Sequence, residues 1–292
     1  MTEGLITAAF GRHYEVTLAD GTRLRGLPRG KKSLYACGDR IRLGALHGEE
    51  AAILAHAPRT SLLYRSDGWK QKLIAANATQ IVIVVAVEPS FSDELISRAL
   101  VAARHQGLGA LIVLNKCDLA EGVPAARERL APFRRLEVPL LELSARQDAS
   151  PLLPWLSGHT SVLVGQSGMG KSTLVNALVP EACAATREIS TALDAGKHTT
   201  THARMYALPG GGWLIDSPGL QAFGLAHLKR GEIELGFAEF VPHLGACRFR
   251  DCRHEHEPGC AIQAAVAAGQ IDRRRLDHFH AIVGEMEAAR AF

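Results

Sequence analysis

The sequence predicts an α/β fold: a doubly wound parallel sheet, with a small β-barrel before it and a helical region after it. From residue 80 onward, apolar segments that suit buried parallel strands alternate with helical segments, beginning with QIVIVVAV at residues 80–87. The first part of the chain instead consists of short strands of alternating polarity, which turn at Ala19-Asp20-Gly21. We therefore expect three domains, spanning residues 1–58, 59–220 and 221–292.

The N-terminal strands carry the excess positive charge. The chain has a net charge of +3, and residues 1–72 hold 12 Lys and Arg against 7 Asp and Glu. Five short strands suit a closed barrel of the OB type, a fold often used on nucleic acid. Because few aromatic residues lie here for base stacking, we expect contacts with backbone phosphates, through Arg23, Arg25, Arg29, Lys31 and Lys32. The alternative is a solvated basic surface without a partner.

Composition and hydropathy exclude several classes of protein. With 47% hydrophobic and 22% charged residues, the chain is typical of globular proteins and not of disordered or fibrous ones. No apolar stretch reaches the ~18 residues that a membrane span needs, and MTEGLITAAF lacks the layout of a signal peptide. We therefore expect a cytoplasmic protein with no membrane partner. Nothing in the sequence sets the oligomeric state, and we expect a monomer.

A phosphate-binding loop is predicted at GQSGMGKST, which matches G-x-x-x-x-G-K-[ST] between a predicted strand and a predicted helix. Its glycines allow a tight turn whose backbone N–H groups surround a β-phosphate. Lys171 would reach the β- and γ-phosphates, Ser172 would supply a hydroxyl ligand to Mg²⁺, and Thr173 would lie near the α-phosphate. The expected nucleotide contacts are Gly165, Gln166, Ser167, Gly168, Met169, Gly170, Lys171, Ser172 and Thr173.

A guanine-binding motif precedes that loop. Asn115, Lys116, Cys117 and Asp118 have the form NKxD, with which GTPases recognise guanine. Asp118 can accept hydrogen bonds from the N1–H and the exocyclic amine of guanine, whereas adenine would leave a buried carboxylate unpaired. Asn115 would hold the loop and Lys116 would cover the base. In an ordinary GTPase this motif follows the phosphate loop, whereas here it comes first.

Five motifs occur in the order that a GTPase fold gives when its natural ends are joined and the chain is cut before its fourth strand. NKCD is followed by Ser144-Ala145-Arg146, the phosphate loop, HTTTH at 198–202 as switch I, and DSPG at 216–219 as switch II. Asp216 would hold Mg²⁺ through water, and the Gly219 N–H would contact the γ-phosphate. The sequence therefore predicts a circularly permuted P-loop GTPase domain.

The residue that orients the attacking water is not obvious from switch II. Leu220 stands where many regulatory GTPases carry a glutamine for this purpose, and leucine cannot do so. His198 in switch I is the candidate catalytic residue, and one of the threonines at 199–201 would cap Mg²⁺. The alternative is an ordinary solvated loop histidine.

Three of the six cysteines cluster with a histidine near the end of the chain, in the pattern C-x₄-C-x-H-x₅-C. Three thiolates and one imidazole form a closed tetrahedral zinc site with no position left for a substrate. We therefore expect a structural zinc in a helical domain, bound by Cys247, Cys252, His254 and Cys260. His256 is excluded by its spacing. Arg273-Arg274-Arg275, further along, is expected to be an exposed basic segment.

Together these motifs resemble those of the RsgA (YjeQ) family of GTPases, which depend on the small ribosomal subunit. The resemblance covers essentially the whole chain and includes NKCD before GQSGMGKST, HTTT, DSPGLQAFGL and CRFRDCRHEHEPGCAI. It implies GTP and GDP with Mg²⁺, one structural Zn²⁺, and the small ribosomal subunit with its rRNA as partner. It further implies a role in late maturation of that subunit, with hydrolysis stimulated by the subunit and release after GTP cleavage.

Two other functions stay open from the sequence. A P-loop kinase with a zinc lid would have a pocket for a small metabolite and no guanine discrimination, which competition between GTP and ATP would reveal. A nucleic-acid-binding regulator with a purely structural nucleotide site would fail to turn over GTP in the presence of ribosomal subunits.

Overall fold

The computed structural model describes most of the chain: residues 2–11, 13–28, 30, 34–67, 70–180, 182, 203–217 and 225–290, with backbone only over the described part of 65–72. These residues contain thirteen β-strands and seven α-helices. None of the helices in these ranges combines the length and the apolar character that crossing a bilayer requires.

The N-terminal region is a closed five-stranded barrel. Its strands are β1 (Thr2–Ala9), β2 (Tyr14–Thr17), β3 (Arg23–Pro28), β4 (Arg40–His47) and β5 (Glu50–His56). They pair in the order β1-β2-β3-β5-β4, and β4 pairs back onto β1 to close the barrel. Alternate side chains point inward, and the barrel core contains Ile6, Val16, Ile41, Leu43 and Ile53. This closure confirms the predicted barrel.

A hairpin that we did not predict follows the barrel. It pairs β6 (Leu62–Asp67) with β7 (Lys70–Ala76). Its signal in the sequence is Asp67-Gly68, a dipeptide that favours tight hairpin turns. Leu63 and Ile74 are buried in the core of the α/β domain, so the hairpin packs against that domain.

The α/β sheet has six strands: β8 (Gln80–Ala86), β9 (Gly109–Asn115), β10 (Leu140–Glu142), β11 (Thr160–Val164), β12 (Ala203–Ala207) and β13 (Trp213–Asp216). Their spatial order is β10-β9-β8-β11-β13-β12. All neighbours are parallel except β12, which runs antiparallel to β13. Every residue of β8 is buried, as its continuous apolar sequence predicts.

The helices are α1 (Asp93–His105), α2 (Val123–Arg134), α3 (Leu153–Leu156), α4 (Lys171–Leu178), α5 (Arg230–Gly236), α6 (Ala261–Ala267) and α7 (Arg273–Arg290). Helix α1 begins after Ser92, whose hydroxyl accepts a 3.4 Å hydrogen bond from the Leu95 N–H, so Ser92 is the N-cap of this helix. Short 3₁₀ helices lie at Ala120–Gly122, Ser150–Leu152 and Ala238–His243.

The barrel and the α/β domain share one sheet. Strand β1 pairs antiparallel with β12, with Ala8 opposite Arg204. The Arg204 guanidinium also lies 3.5 Å from the Glu15 carboxylate on β2 and stacks over the Phe10 ring at 5.7 Å. The barrel is therefore joined to the strand that directly follows the predicted switch I. Because the sheet crosses from one region to the next, the domain limits 1–58, 59–220 and 221–292 stay predictions.

The C-terminal region packs onto α1 through a buried arginine. Arg275 is only 1% exposed; its guanidinium donates to Glu239 Oε1 at 2.6 Å and to Ser97 Oγ at 2.6 Å. It also lies 4.3 Å from the centre of the Phe237 ring. The prediction of an exposed basic segment is therefore right for Arg273, whereas Arg274 is half-buried. It is wrong for Arg275, because a carboxylate, a hydroxyl and an aromatic face replace water around the charge.

Candidate nucleotide-binding site and metal centre

The phosphate loop connects the end of β11 to the start of α4 at Lys171, as predicted. Gly170 adopts a left-handed conformation, with φ of 90°, and a Cβ atom there would lie 2.3 Å from the Asn115 side-chain nitrogen. A Cβ atom at Gly165 would lie 2.2 Å from the Val84 carbonyl oxygen. Only glycine fits at either position, so the loop lies tightly against β8 and the NKxD motif.

Lys171 and Asp216 place opposite charges in this region. The Lys171 ammonium donates to the carbonyl oxygens of Gly165 at 2.5 Å and Gln166 at 2.8 Å. Burial lowers the pKa of Lys171, and the attraction of Asp216 partly offsets this. Asp216 ends β13 and is buried, which raises the pKa of its carboxyl group despite the nearby ammonium. A cationic ligand near Asp216 and an anionic ligand near Lys171 would each offset the unfavourable burial of a charged group.

Asn115 connects three loops. Its side-chain nitrogen donates to the Met169 carbonyl in the phosphate loop at 2.9 Å. Its side-chain oxygen accepts from the Lys116 N–H at 2.8 Å and from the Ala145 N–H at 2.9 Å. Asn115 is 1% exposed, so these bonds are shielded from water. One side chain thus fixes the spacing between the NKxD motif, the phosphate loop and the loop that carries Ser144-Ala145-Arg146.

A cavity of about 410 Å³ lies between these loops, a size that suits a small-molecule ligand. Ser144 is one of its lining residues, and the Ser144 hydroxyl is a buried polar atom without a hydrogen-bond partner among the described residues. The lining contains three cationic side chains, one carboxylate, several hydroxyls and an amide, together with small residues: Asn115, Lys116, Ser144, Ala145, Arg146, Ser167, Gly168, Gly170, Lys171, Ser172, Thr173 and Asp216. This donor set fits a nucleotide bound through its phosphates and its base.

The four predicted metal ligands form a compact cluster. One ligand atom from each of Cys247, Cys252, His254 and Cys260 lies within 4.8 Å of the others. The Cys247 and Cys260 sulfur atoms are 4.0 Å apart, and His254 Nδ1 is 3.6 Å and 3.3 Å from them. A tetrahedral zinc site requires separations of about 3.8 Å between sulfurs and about 3.6 Å from sulfur to nitrogen. The cluster therefore fits zinc, and His256 is not part of it.

Backbone N–H groups donate to the sulfur atoms of two of these cysteines. The Cys247 sulfur accepts from the Ala261 N–H at 3.4 Å, and the Cys260 sulfur accepts from the Gln263 N–H at 3.4 Å, where Cys260 caps α6. Burial raises the pKa of Cys247, but hydrogen bonds from Ala261, Cys252 and Ile262 together with the charge of His254 outweigh it, and the pKa lies below its ordinary value. A lowered thiol pKa favours the form that binds metal.

Comparison with known proteins identifies the family. Residues 56–226 match the family model described as RsgA GTPase. A relative from Bordetella pertussis (strain Tohama I), named "Small ribosomal subunit biogenesis GTPase RsgA", is 55% identical over 294 residues, covering 99% of this chain and 98% of the relative.

The chain belongs to the RsgA GTPase family.

Solved structures confirm the family's fold for this chain. The crystal structure of YjeQ from Thermotoga maritima superimposes with a TM-score of 0.73 at 26% identity and covers 98% of both chains. YloQ, described as a circularly permuted GTPase, superimposes with a TM-score of 0.70 at 25% identity, over 99% of this chain and 96% of that one. The predicted circular permutation is thereby confirmed, as is the resemblance to the RsgA family. RsgA proteins are GTPases, which favours hydrolysis over the kinase alternative.

Four of the predicted nucleotide-binding residues do not present their side chains to the cavity. Asp118 is exposed and Cys117 half-buried, and neither lines the cavity. The Gln166 side chain accepts from the Ser92 N–H at 2.6 Å, and Met169 is buried, so only their backbone atoms are available to a phosphate. We did not anticipate this link from the phosphate loop to α1, because a glutamine inside the motif carries no signal of where its side chain points.

Other predicted residues lie outside the described part of the chain. They are the switch residues His198, Thr199, Thr200, Thr201, Gly219 and Leu220, and the barrel residues Arg29, Lys31 and Lys32. Arg23 and Arg25 are described and exposed, and Arg25 pairs with Glu50 at 3.2 Å. This pairing offsets part of the positive charge that the sequence places on the barrel.

Proposed function

We propose that this protein binds the small ribosomal subunit and acts in its late maturation, hydrolysing GTP to GDP and phosphate with stimulation by the subunit. The observation that carries the proposal is identity of 55%, over nearly the full length of both chains, to a relative named as a small ribosomal subunit biogenesis GTPase. The cavity between the phosphate loop and the NKxD motif supports it, because its lining suits a nucleotide.

In the proposed complex, the phosphates of GTP lie along the backbone of residues 165–170 and at the start of α4. Lys171 contacts the β- and γ-phosphates, and Thr173 lies near the α-phosphate. The Lys171 ammonium exchanges its two carbonyl partners for phosphate oxygens. The negative charge of the phosphates then compensates the charge of this half-buried cation. Met169 and Gln166 contribute N–H groups only, since their side chains are engaged elsewhere.

Guanine is proposed to lie between Lys116 and the Ser144-Ala145-Arg146 loop. Asp118 accepts from the base, and the Ser144 hydroxyl has the free hydrogen-bonding capacity to pair with a group brought by the ligand. Asn115 does not contact the base in this proposal; it holds the two base-contacting loops against the phosphate loop.

Hydrolysis requires Mg²⁺, which is proposed to bind Ser172 and, through water, Asp216. When bound, Mg²⁺ neutralises the negative charge that develops on the phosphates. The Gly219 N–H contacts the γ-phosphate, and His198 orients the attacking water. Docking on the small subunit is proposed to bring His198 toward this water.

The remaining parts are proposed to serve docking and stability. The basic barrel contacts rRNA, and the zinc ion bound by Cys247, Cys252, His254 and Cys260 is structural, because all four positions of a tetrahedral site are filled by protein. We propose a cytoplasmic monomer.

Co-sedimentation with purified small subunits tests the proposed partner. The protein should pellet with the subunit in the presence of a non-hydrolysable GTP analogue and stay in the supernatant with GDP. Large subunits serve as the control. Equal sedimentation with both subunits, or none with either, would refute the proposal and would favour a nucleic-acid-binding regulator or a protein that acts elsewhere.

A further inference from the structure

His254 has a fixed orientation within the metal centre. Its Nδ1 atom faces the thiolates, 3.3 Å from Cys260 Sγ and 3.6 Å from Cys247 Sγ. Its Nε2 atom, on the opposite edge of the ring, lies 3.5 Å from Glu234 Oε1. The ring thus directs one nitrogen to the proposed ion and the other to a carboxylate.

Glu234 is itself held in place. Its side chain is 19% exposed, and its Oε1 atom accepts from Arg230 Nε at 3.0 Å. Arg230 also donates to the Cys252 carbonyl oxygen at 2.7 Å. Arg230 therefore contacts both the Glu234 carboxylate and the backbone of the metal ligand Cys252. Its positive charge compensates the negative charge of Glu234, which allows the carboxylate to remain beside His254.

The helix that carries Glu234 packs against the GTPase domain. In α5, Gly236 lies so close to α1 that a Cβ atom there would be 2.8 Å from Val101 Cγ1. Glu234 is thus positioned by packing outside the metal loop, whose ligands all fall within residues 247–260. The His254 backbone is fixed separately, because its carbonyl oxygen accepts from Gln263 Nε2 at 2.7 Å. Glu234 contacts the ring itself, at Nε2.

We propose that Glu234 is a positioning residue of the metal centre: it accepts the Nε2 proton of His254 in a hydrogen bond, so that Nδ1 is the nitrogen that binds the metal. Metal-bound histidines commonly donate their second ring N–H to a carboxylate, which fixes the tautomer and increases the basicity of the ligand. Glu234 also links the metal loop to α5 and so to the GTPase domain. This inference rests on the proposed zinc site.

Zinc affinity tests the contribution of Glu234. Full-length protein is loaded with zinc, and zinc is titrated away with a chromophoric chelator. Glu234→Ala should weaken zinc binding about 10- to 100-fold, and Glu234→Gln should weaken it less, because the amide oxygen still accepts a hydrogen bond. Glu255→Gln is the matched control: it neutralises an exposed carboxylate next to His254 and should leave affinity unchanged. Equal affinity in Glu234→Ala and Glu255→Gln would overturn the proposal.

The ring nitrogen can be determined in the unaltered protein, even if Glu234→Ala fails to fold. Nitrogen-15 spectra of histidine-labelled, zinc-loaded protein should show His254 protonated at Nε2 and metal-bound at Nδ1. Metal binding through Nε2 would overturn the proposal. Zinc stoichiometry in the same sample distinguishes failure of the zinc site from failure of the role of Glu234. Absence of zinc refutes the zinc site itself, whereas zinc bound through the other nitrogen refutes only the role of Glu234.

Discussion

The side-chain nitrogen of Asn115 donates a 2.9 Å hydrogen bond to the carbonyl oxygen of Met169, which joins the NKxD motif to the phosphate loop. These two segments follow β9 and β11, which lie on either side of β8 and both run parallel to it. The circular permutation reverses the order of the two segments along the chain. The contact remains possible, because it depends on the positions of the strands in the sheet and not on their order in the sequence.

Asn115→Ala tests that contact. The substitution removes the acceptor of the buried Ala145 N–H, and an unsatisfied buried group costs about 1–3 kcal/mol. We expect weaker binding of GTP and GDP by roughly tenfold or more, to the same extent for both, since the γ-phosphate is not involved. Fluorescent-nucleotide titration measures this. Gln147→Ala, an exposed amide in the third loop, is the control and should bind normally; unchanged binding by Asn115→Ala would contradict the structural role.

Asp118→Asn tests guanine recognition. The new amide presents a donor to the donors of guanine, so GTP binding should weaken by about 1.5–3 kcal/mol. Xanthine carries a carbonyl oxygen in place of the guanine amine, so binding of XTP should improve. Competition titrations with both nucleotides measure the exchange. The nearby, exposed Glu121→Gln should change neither affinity. If Asp118→Asn still prefers GTP as strongly as the parent, NKCD does not contact the base.

Asp216→Asn separates function from stability. Its folded-state pKa is raised above 3.8 even with Lys171 nearby, so its charge opposes folding at neutral pH. That opposition is present above the raised pKa and fades as the pH falls through it. We therefore expect the nucleotide-free variant to melt no lower than the parent, while the increase in Tm caused by Mg²⁺ and GTP is lost. A marked fall in the Tm of the free variant would show that Asp216 stabilises the fold.

Arg275→Met tests the contact between the C-terminal region and α1. It leaves Glu239 without its buried partner, and breaking such a pair costs about 3–5 kcal/mol. Arg273→Met, at an exposed pair on the same helix, should change stability by no more than about 0.5 kcal/mol. Urea denaturation followed by fluorescence compares the two. An equal decrease in the free energy of unfolding in the two variants would mean that the buried contacts of Arg275 do not stabilise the protein more than the exposed pair of Arg273 does.

His198→Ala tests the catalytic proposal. The variant should bind GTP and the small subunit normally but lose most of the subunit-stimulated rate, because positioning dominates phosphoryl transfer. His202→Ala, beyond the threonines of the same segment, should be milder. Full stimulation of His198→Ala would mean that rRNA or a backbone group orients the water.

Local sequence patterns were sufficient for much of the fold and the candidate site. Strand β8, helix α4 and the metal-ligand cluster follow from patterns within a few residues: a continuous apolar segment, a glycine-rich loop before Lys171, and the spacing of three cysteines and a histidine. The order of the motifs then indicates the permuted topology. No single motif identifies a strand order, but the order of all five along the chain does.

Features that depend on distant contacts could not be predicted in this way. Arg275 is buried because Glu239, Ser97 and Phe237 surround it, and none of these lies on the helix that carries Arg275. The bond between Gln166 and Ser92, and the pairing of β1 with β12, likewise join segments far apart in the chain. Sequence periodicity reports which face of an element is buried, but not which side chain compensates a buried charge.

The central claim is that the small ribosomal subunit stimulates GTP hydrolysis by this protein, and phosphate release with and without purified small subunits tests it most directly. We predict slow turnover by the free protein and an increase on the order of 10²-fold or more with subunits, absent with ATP and absent with large subunits. Turnover that is the same with and without small subunits, in protein shown to bind GTP, would contradict the account.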